Sequence, residues 1–264
     1  MKPKITVLYI TARRAQCFAE HPEWNQYEVL ARSLAAQTMR DFELVVVAPL
    51  ANQTSFLRLN IPCRSVAQVT PRDTPWRRAR TRCAASARNT GLVHARGDFV
   101  VSLDDATEVD PEYLERNLAW LERGLGTVSL SRLPDGTVVD DRLSILNQTD
   151  SDVVITRDRP HPRGLLAYPL DIALAINGYD EHFDGGYGME DVDFGYRLQR
   201  AGLPFVIDRS LAVTLHPTTE LDPAVVASDG DPSDPQRSTV RCCNSAWYLA
   251  RENGHLAANL HPYT

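Results

Sequence analysis

The chain has 264 residues, 43% of them hydrophobic and 23% charged, and a formal net charge of −6. That is an ordinary globular composition, long enough for a sizeable core in one large domain or two small ones, and its acidic balance offers nucleic acid or an anionic membrane no overall attraction. No apolar run reaches membrane-spanning length, residues 1–4 lack the apolar core of a signal peptide, and the odd set Cys17, Cys63, Cys83, Cys242 and Cys243 has no zinc-like spacing and reads as reduced thiols in a cytoplasm.

Residues 5–10 form a short apolar run rich in β-branched side chains, expected as a buried strand that ends in the polar turn Thr11-Ala12-Arg13-Arg14. Tyr27, Leu30, Ala31, Leu34 and Thr38 recur at helical spacing, which predicts a helix over about 23–38. Residues 41–47 read as a second strand bounded by Pro49. Strand, helix and strand at this spacing predict a parallel βαβ unit. Ligands of such sheets bind beyond the carboxyl ends of the strands, so residues 11–14 and 48–52 should border a pocket.

Val66 and Val69 suggest a brief third strand inside the irregular stretch 60–75. Between 72 and 88 lie six arginines, Arg72, Arg77, Arg78, Arg80, Arg82 and Arg88. Most belong on a solvated face; a few near the pocket would suit a diphosphate, which the guanidinium fork matches. The next strand, 99–103, ends in Asp104-Asp105, two carboxylates that are costly to hold together without a cation, and a divalent metal bridging to phosphates answers that need. The competing reading, a helix-capping turn, is assigned instead to Asp110 ahead of a helix over 111–123.

Residues 125–163 carry weak signals, with short strands at 127–130 and 153–156, and 165–176 is mostly apolar. The run Gly185-Gly186-Tyr187-Gly188-Met189-Glu190-Asp191-Val192-Asp193-Phe194 packs three glycines into four positions ahead of two adjacent carboxylates. A helix over 190–201 follows and stops at Gly202-Leu203-Pro204. Helical spacing puts Asp191 on the stripe of Phe194, Gly195 and Leu198, and Glu190 with Asp193 and Arg197. Acids in a first turn complement the helix dipole. The glycines beside them favour a second role, a general base facing an acceptor hydroxyl. Residues 205–207 and 211–217 read as two strands, with His216 at the end of the second. From 218 to 238 the composition shifts to Asp, Pro, Ser and Gly, expected as a loop or lid before a short helix at 245–251.

Over about residues 4–217 the chain resembles family 2 glycosyltransferases of the GT-A fold. The resemblance is carried, in order, by Ile10-Thr11-Ala12-Arg13-Arg14, Asp41-Phe42-Glu43-Leu44-Val45-Val46-Val47, Ala87-Arg88-Asn89-Thr90-Gly91, Leu103-Asp104-Asp105 and Asn177-Gly178-Tyr179-Asp180-Glu181 through Phe194. The last stretch is also similar to the acceptor motif of β-1,4-galactosyltransferases. The resemblance implies a Rossmann-like α/β domain over 1–217, a nucleotide-sugar half over about 1–110 and an acceptor half over about 111–217, with 218–264 as a C-terminal lid and short helix. It implies an inverting enzyme that moves a sugar from a nucleotide-sugar donor to a glycan or other hydroxyl-bearing acceptor. Asp191 would be the base, with Glu190 beside it. Thr11, Arg13, Arg82, Arg88 and Asp104 would meet the donor, and Gly186 and Tyr187 would shape the sugar pocket. A divalent metal, Mn2+ or Mg2+, would lie among Asp104, Asp105 and His216. Two positions depart from the family pattern. Ala106 stands where the main metal ligand is expected, and the second strand ends in Val47-Ala48-Pro49 rather than in base-holding acids. A non-catalytic nucleotide-sugar or glycan-binding relative remains an alternative, as does a nucleic-acid acceptor, against which the net charge argues.

Overall fold

The structure, a computed structural model, describes residues 2–13, 15–48, 61–74, 83–157, 164–184 and 188–219. Strands β1 (Ile5–Ile10) and β2 (Phe42–Val47) are apolar runs buried almost throughout, as strands covered on both faces must be. Between them α1 (Gln26–Ala35) starts at Asn25, whose side chain accepts the Tyr27 N–H. The helix is shorter than its apolar spacing predicts, because residues 23–25 form the entry turn and Thr38 leaves it to donate to Glu115 at 2.7 Å. Leu30 and Leu34 are almost wholly buried, each contributing roughly 1.5–3 kcal/mol.

Strand β3 (Val66–Val69) pairs parallel with β2, and β1 pairs parallel with both β2 and β4 (Phe99–Leu103). The order β3-β2-β1-β4 reverses direction at β1, and in open sheets of this kind the ligand crevice lies beyond the carboxyl ends of the strands at such a reversal, here β1 and β4. Helix α2 (Ala84–His94) connects this sheet to β4. Its small residues allow a close approach: a Cβ on Gly91 would come within 2.1 Å of a Leu8 methyl.

Beyond β4 come β5 (Thr107–Val109), α3 (Tyr113–Leu121), β6 (Gly126–Arg132), α4 (Leu143–Thr149), β7 (Val153–Thr156), β8 (Leu166–Pro169), α5 (Leu170–Ala175), α6 (Glu190–Arg200) and β9 (Phe205–Leu215). The sheet continues from β4 as β8-β6-β9-β5, with β7 also paired to β9. Here β4/β8, β6/β8, β5/β9 and β7/β9 are antiparallel and only β6/β9 is parallel. The parallel character is thus concentrated in the first four strands. Helices cover both faces. Tyr9, Tyr27, Leu34 and Leu114 pack on one side, and Leu8, Leu92, Phe194 and Leu198 on the other.

Two expectations need correction. Residues 205–207 and 211–215 belong to one strand, β9, in which Arg209 and Ser210 are exposed where the register against β6 slips between Val128 and Leu130. Asp110 does not cap α3 with its side chain; its carboxylate takes Arg132 at 2.6 and 3.2 Å, and the helix begins after Glu112. The lid and short helix expected in the C-terminal stretch lie outside the described residues from position 220 onward. Among the described residues no helix is long and apolar enough to cross a membrane.

Candidate active site

The crevice at the strand reversal is lined by the segments that leave β1 and β4. From β1 come Thr11, whose N–H donates to Val47 O, and Arg13. From β4 come Asp104 and Asp105. Arg13 Nε lies 3.1 Å from Asp105 Oδ2, and Thr11 Oγ1 donates to the same oxygen at 3.4 Å. Arg13 also donates to Thr219 O. Burial pushes the Asp105 carboxyl above its ordinary value, against the pull of Arg13. The next residue, Ala106, is buried and adopts φ +54°, a left-handed conformation that costs a residue with a Cβ about 1–2 kcal/mol. It turns the chain from β4 into β5.

Arg88, on the second turn of α2, is 6% exposed and joins the two halves of the site. One guanidinium nitrogen donates to Asp104 Oδ1 at 3.1 Å and the other to Glu190 Oε1 at 2.8 Å, across 102 positions of chain. Its face lies over the Tyr179 ring. Burial works against the charge on Arg88, but Asp104 and Glu190 outweigh it and hold the guanidinium cationic. Glu190 is pushed up by burial, with Arg88 opposing and Asp191 assisting.

The carboxylate pair enters on α6 directly after Met189, another non-glycine residue at positive φ, +76°. Asp191 Oδ2 accepts the Gly164 N–H at 2.5 Å, and its Oδ1 accepts the Val192 N–H at 2.9 Å. Glu190 shares a helical face with Asp193 and Arg197, as the spacing predicts, but its carboxylate bonds elsewhere. Asp193 and Arg197 pair with each other at 2.7 Å beneath the site, buried to 4% and 1% exposure, and Glu190 turns to Arg88 instead. The reason is electrostatic: each buried acid takes a separate cation.

Helix α2 also binds the chain that leads into α6. Asn89 accepts the Tyr179 N–H at 2.7 Å and donates to Tyr179 O and Glu181 Oε1 at 2.8 and 3.0 Å. Gly178 (φ +66°) permits this, since a Cβ there would meet Asn89 Oδ1 at 2.4 Å. Asp184, 5% exposed, accepts the Ala85 and Ser86 N–H groups at 2.9 and 3.1 Å and the Ser86 hydroxyl. Burial pushes its carboxyl up to about 7 despite these donors. Sequence reasoning passed over Asp184 and Gly164. Asp184 did leave a trace: α2 starts at Cys83, a poor capping residue, so its first N–H groups need an acceptor from elsewhere.

His216 lies apart from the aspartates in its bonding. Its Nε2 is 3.1 Å from Glu108 Oε2, and its ring sits edge-on to Phe18 and Trp24, while its N–H donates to Ala106 O. Among the described residues no three His, Cys, Asp or Glu side chains form a ready metal cage. Thr11, Arg13, Arg88, Asp104, Asp105, Glu190 and Asp191 converge on the crevice; Arg82, Gly186 and Tyr187 lie outside the described residues. Of the arginine-rich segment, Arg72 pairs with Glu181 at 2.7 Å as a partly exposed cation, and Arg77, Arg78 and Arg80 also lie outside them.

Residues 22–144 match the sequence profile described as Glycosyl transferase family 2. The validoxylamine A glucosyltransferase of Streptomyces hygroscopicus subsp. jinggangensis (strain 5008) is 26% identical over 231 residues, which cover 71% of this chain and 52% of the relative. The chain thus spans about half the length of that curated relative. Among solved structures, S. aureus TarS aligns with TM-score 0.55 at 16% identity, covering 94% of this chain and 43% of TarS. GalNAc-T7, crystallised with UDP, GalNAc and Mn2+, aligns with TM-score 0.59 at 15% identity, covering 94% and 48%. The fold is that of GT-A glycosyltransferases, a central multi-stranded sheet flanked by helices.

Proposed function

We propose that the chain is a nucleotide-sugar-dependent, inverting glycosyltransferase of family 2. The observation that carries this reading is Arg88, one buried guanidinium shared by the β4 carboxylate Asp104 and the α6 carboxylate Glu190. It supports a donor half, about 1–110, and an acceptor half, about 111–217, meeting at one crevice. Thr11, Arg13, Arg88 and Asp104 face a nucleoside diphosphate there, with Arg82, Gly186 and Tyr187 proposed beside it. Asp191 is the general base. The acceptor oxygen attacks the anomeric carbon in line while the bond from that carbon to the diphosphate oxygen breaks. The hydroxyl proton passes to Asp191, and the nucleoside diphosphate leaves with the bonding electrons. Glu190, held by Arg88, fixes the start of α6 and so orients Asp191.

The residues present fit a divalent cation on charge. Asp104 and Asp105 are each matched by a single arginine, so the pair leaves no positive surplus for a diphosphate, and the Asp104 carboxylate is 42% exposed. Asp104 and Asp105 would hold Mn2+ or Mg2+, with His216 the nearby imidazole after release from Glu108. Such an ion would supply neutralisation of the departing diphosphate.

Titration calorimetry with UDP, GDP and dTDP, with and without Mn2+, tests the donor site, and a panel of nucleotide sugars beginning with glucose donors tests turnover. Tight binding of one diphosphate with cleavage of its sugar conjugate is expected. Binding without cleavage would point to the non-catalytic relative. No binding of any diphosphate would overturn the reading.

A further inference from the structure

We propose that Asp184 is a positioning residue for the Glu190–Asp191 pair, an inference that rests on the glycosyl-transfer reading for its catalytic consequence but not for its geometry. Helix α2 makes the connection. At its first turn Ala85 and Ser86 hold Asp184, and one turn later Arg88 holds Glu190. Both attachment points therefore lie within four positions of one helix, while the chain they hold, 184 to 190, carries Gly185, Gly186 and Gly188. Glycines impose little conformational preference of their own.

On the far side of the glycines stands Met189 at φ +76°, a conformation that persists in a side-chain-bearing residue only when its surroundings enforce it. Glu190 is held there by Arg88 and Asp191 by the Gly164 N–H, and Asp184 holds the chain ahead of the glycines. Asp184 is suited to this because it is buried and its three donors come from a helix start lacking a capper of its own, so the attachment serves both segments. Asn89 and Tyr179 hold the preceding stretch to the same helix, which leaves Asp184 as the last described attachment before the glycines. Arg88 itself sits in the second turn, where intrahelical bonding continues from Ala87 N–H to Cys83 O. Loss of Asp184 should therefore loosen α6 more than it disturbs Arg88.

The test compares Asp184→Ala and Ser86→Ala with the wild-type chain by amide hydrogen exchange, by calorimetry with UDP, GDP and dTDP, and by turnover of whichever nucleotide sugar the panel identifies. The amides that report are Ala85 and Ser86 at the helix start, and Asp193 and Gly164 around the carboxylate pair. Losing a cap and its charge-assisted bonds should speed exchange about tenfold at Ala85 and Ser86 and by a similar factor at Asp193 and Gly164. Turnover should fall by about tenfold, the cost of a misplaced base, with diphosphate affinity within about twofold. Ser86→Ala, which removes one donor of three, should show the same pattern more weakly, and it decides the matter if Asp184→Ala does not fold. Faster exchange confined to Ala85 and Ser86 with normal turnover would overturn the proposal, since Asp184 would then be a helix cap only. A parallel loss of affinity and turnover would overturn it too. If the wild-type chain binds no diphosphate and cleaves no nucleotide sugar, the glycosyl-transfer reading fails, and the exchange at Asp193 and Gly164 still judges the positioning role.

Discussion

Glu43 at the amino end of the parallel strands, almost wholly buried, and Glu190 at their carboxyl end, 13% exposed on its side chain, both face an arginine, and their acidities move in opposite directions. Burial raises both. At Glu43 it is overcome by the Thr6 hydroxyl at 2.7 Å and the Arg96 backbone and side chain at 2.6 and 2.8 Å, and the carboxyl ends below its ordinary value. Glu190 shares a single guanidinium with Asp104, has Asp191 beside it, and ends above. The backbone differs in the same sense. Ala106 and Met189, two of the four non-glycine residues at positive φ among the described ones, adjoin the aspartates and the α6 pair. At the amino end the chemistry of a carboxylate is fully answered by its neighbours. At the carboxyl end it is left partly unanswered and held in a strained frame, as expected where a substrate is to complete the set.

The largest expected effect separates the ends by rate. Asp191→Asn keeps the shape of the helix start but cannot accept a proton, so single-turnover transfer should fall by roughly 10²–10⁴ while diphosphate affinity holds. Glu43→Gln should leave both near normal. Unimpaired transfer by Asp191→Asn, measured beside donor affinity, would return that carboxylate to a helix-dipole role and dissolve the contrast.

Stability gives the next difference. Arg88→Met strands Asp104 and Glu190 without their shared cation and should cost about 3–5 kcal/mol in urea unfolding. Arg96→Met should cost clearly less, because Arg96 is 62% exposed on its side chain and Glu43 keeps the Thr6 hydroxyl and the Arg96 N–H. Equal losses would show that the two arginines are equivalent.

Much of this architecture was legible in residue order, and the reasons for the gaps are physical. Strands β1, β2 and β4 read clearly because burial on both faces demands largely apolar runs, each with a single polar residue (Thr6, Glu43, Ser102), and α6 because its acids, stripe and Gly-Pro stop all agree. The pairs Asp104-Asp105 and Glu190-Asp191 stood out because adjacent carboxylates at element ends need an explanation. Arg88 was singled out with Arg82 from the six arginines through the family resemblance, but its burial and its bridge from Asp104 to Glu190 were hidden, since they depend on how α2 packs on Leu8 through Gly91. Partner choice was hidden likewise: Glu190 with Arg88, Asp110 with Arg132 and His216 with Glu108 are contacts across tens of residues. Strand β9 was split because Asp208, Arg209 and Ser210 break its apolar pattern where the register slips.

The contrast also has a pH signature at the amino end. Because the folded-state pKa of Glu43 is lowered, its contribution to stability is present above its unfolded value, about 4.3, and is lost as pH falls through the lower folded one. The acid limb of the wild-type stability curve should therefore be steeper than that of Glu43→Gln, measured by urea unfolding at steps below about pH 5. Matching acid limbs would mean that the Glu43 network is no stronger than solvent.

The smallest effect is expected at the outer edge of the same end. Asp98 receives Lys2 at 2.8 Å and Lys4 at 3.5 Å, and the hydrogen bond from Lys2 does most to hold its carboxyl below the ordinary pKa. All three side chains are more than a third exposed, so water and salt screen the attraction, and ordering two lysines opposes it. Asp98→Asn should thus cost only about 0.2–1 kcal/mol at low ionic strength and almost nothing at about 1 M salt, where the Debye length is near 3 Å. The backbone of Asp98 still accepts the Leu170 N–H, so β4 and α5 stay joined. Transfer and diphosphate binding should not change, because the substitution sits at the opposite end of β4 from Asp104. A drop in turnover from this variant would mean that charge at the amino end reaches the crevice through the strands, and the two ends of the sheet could no longer be treated as separate.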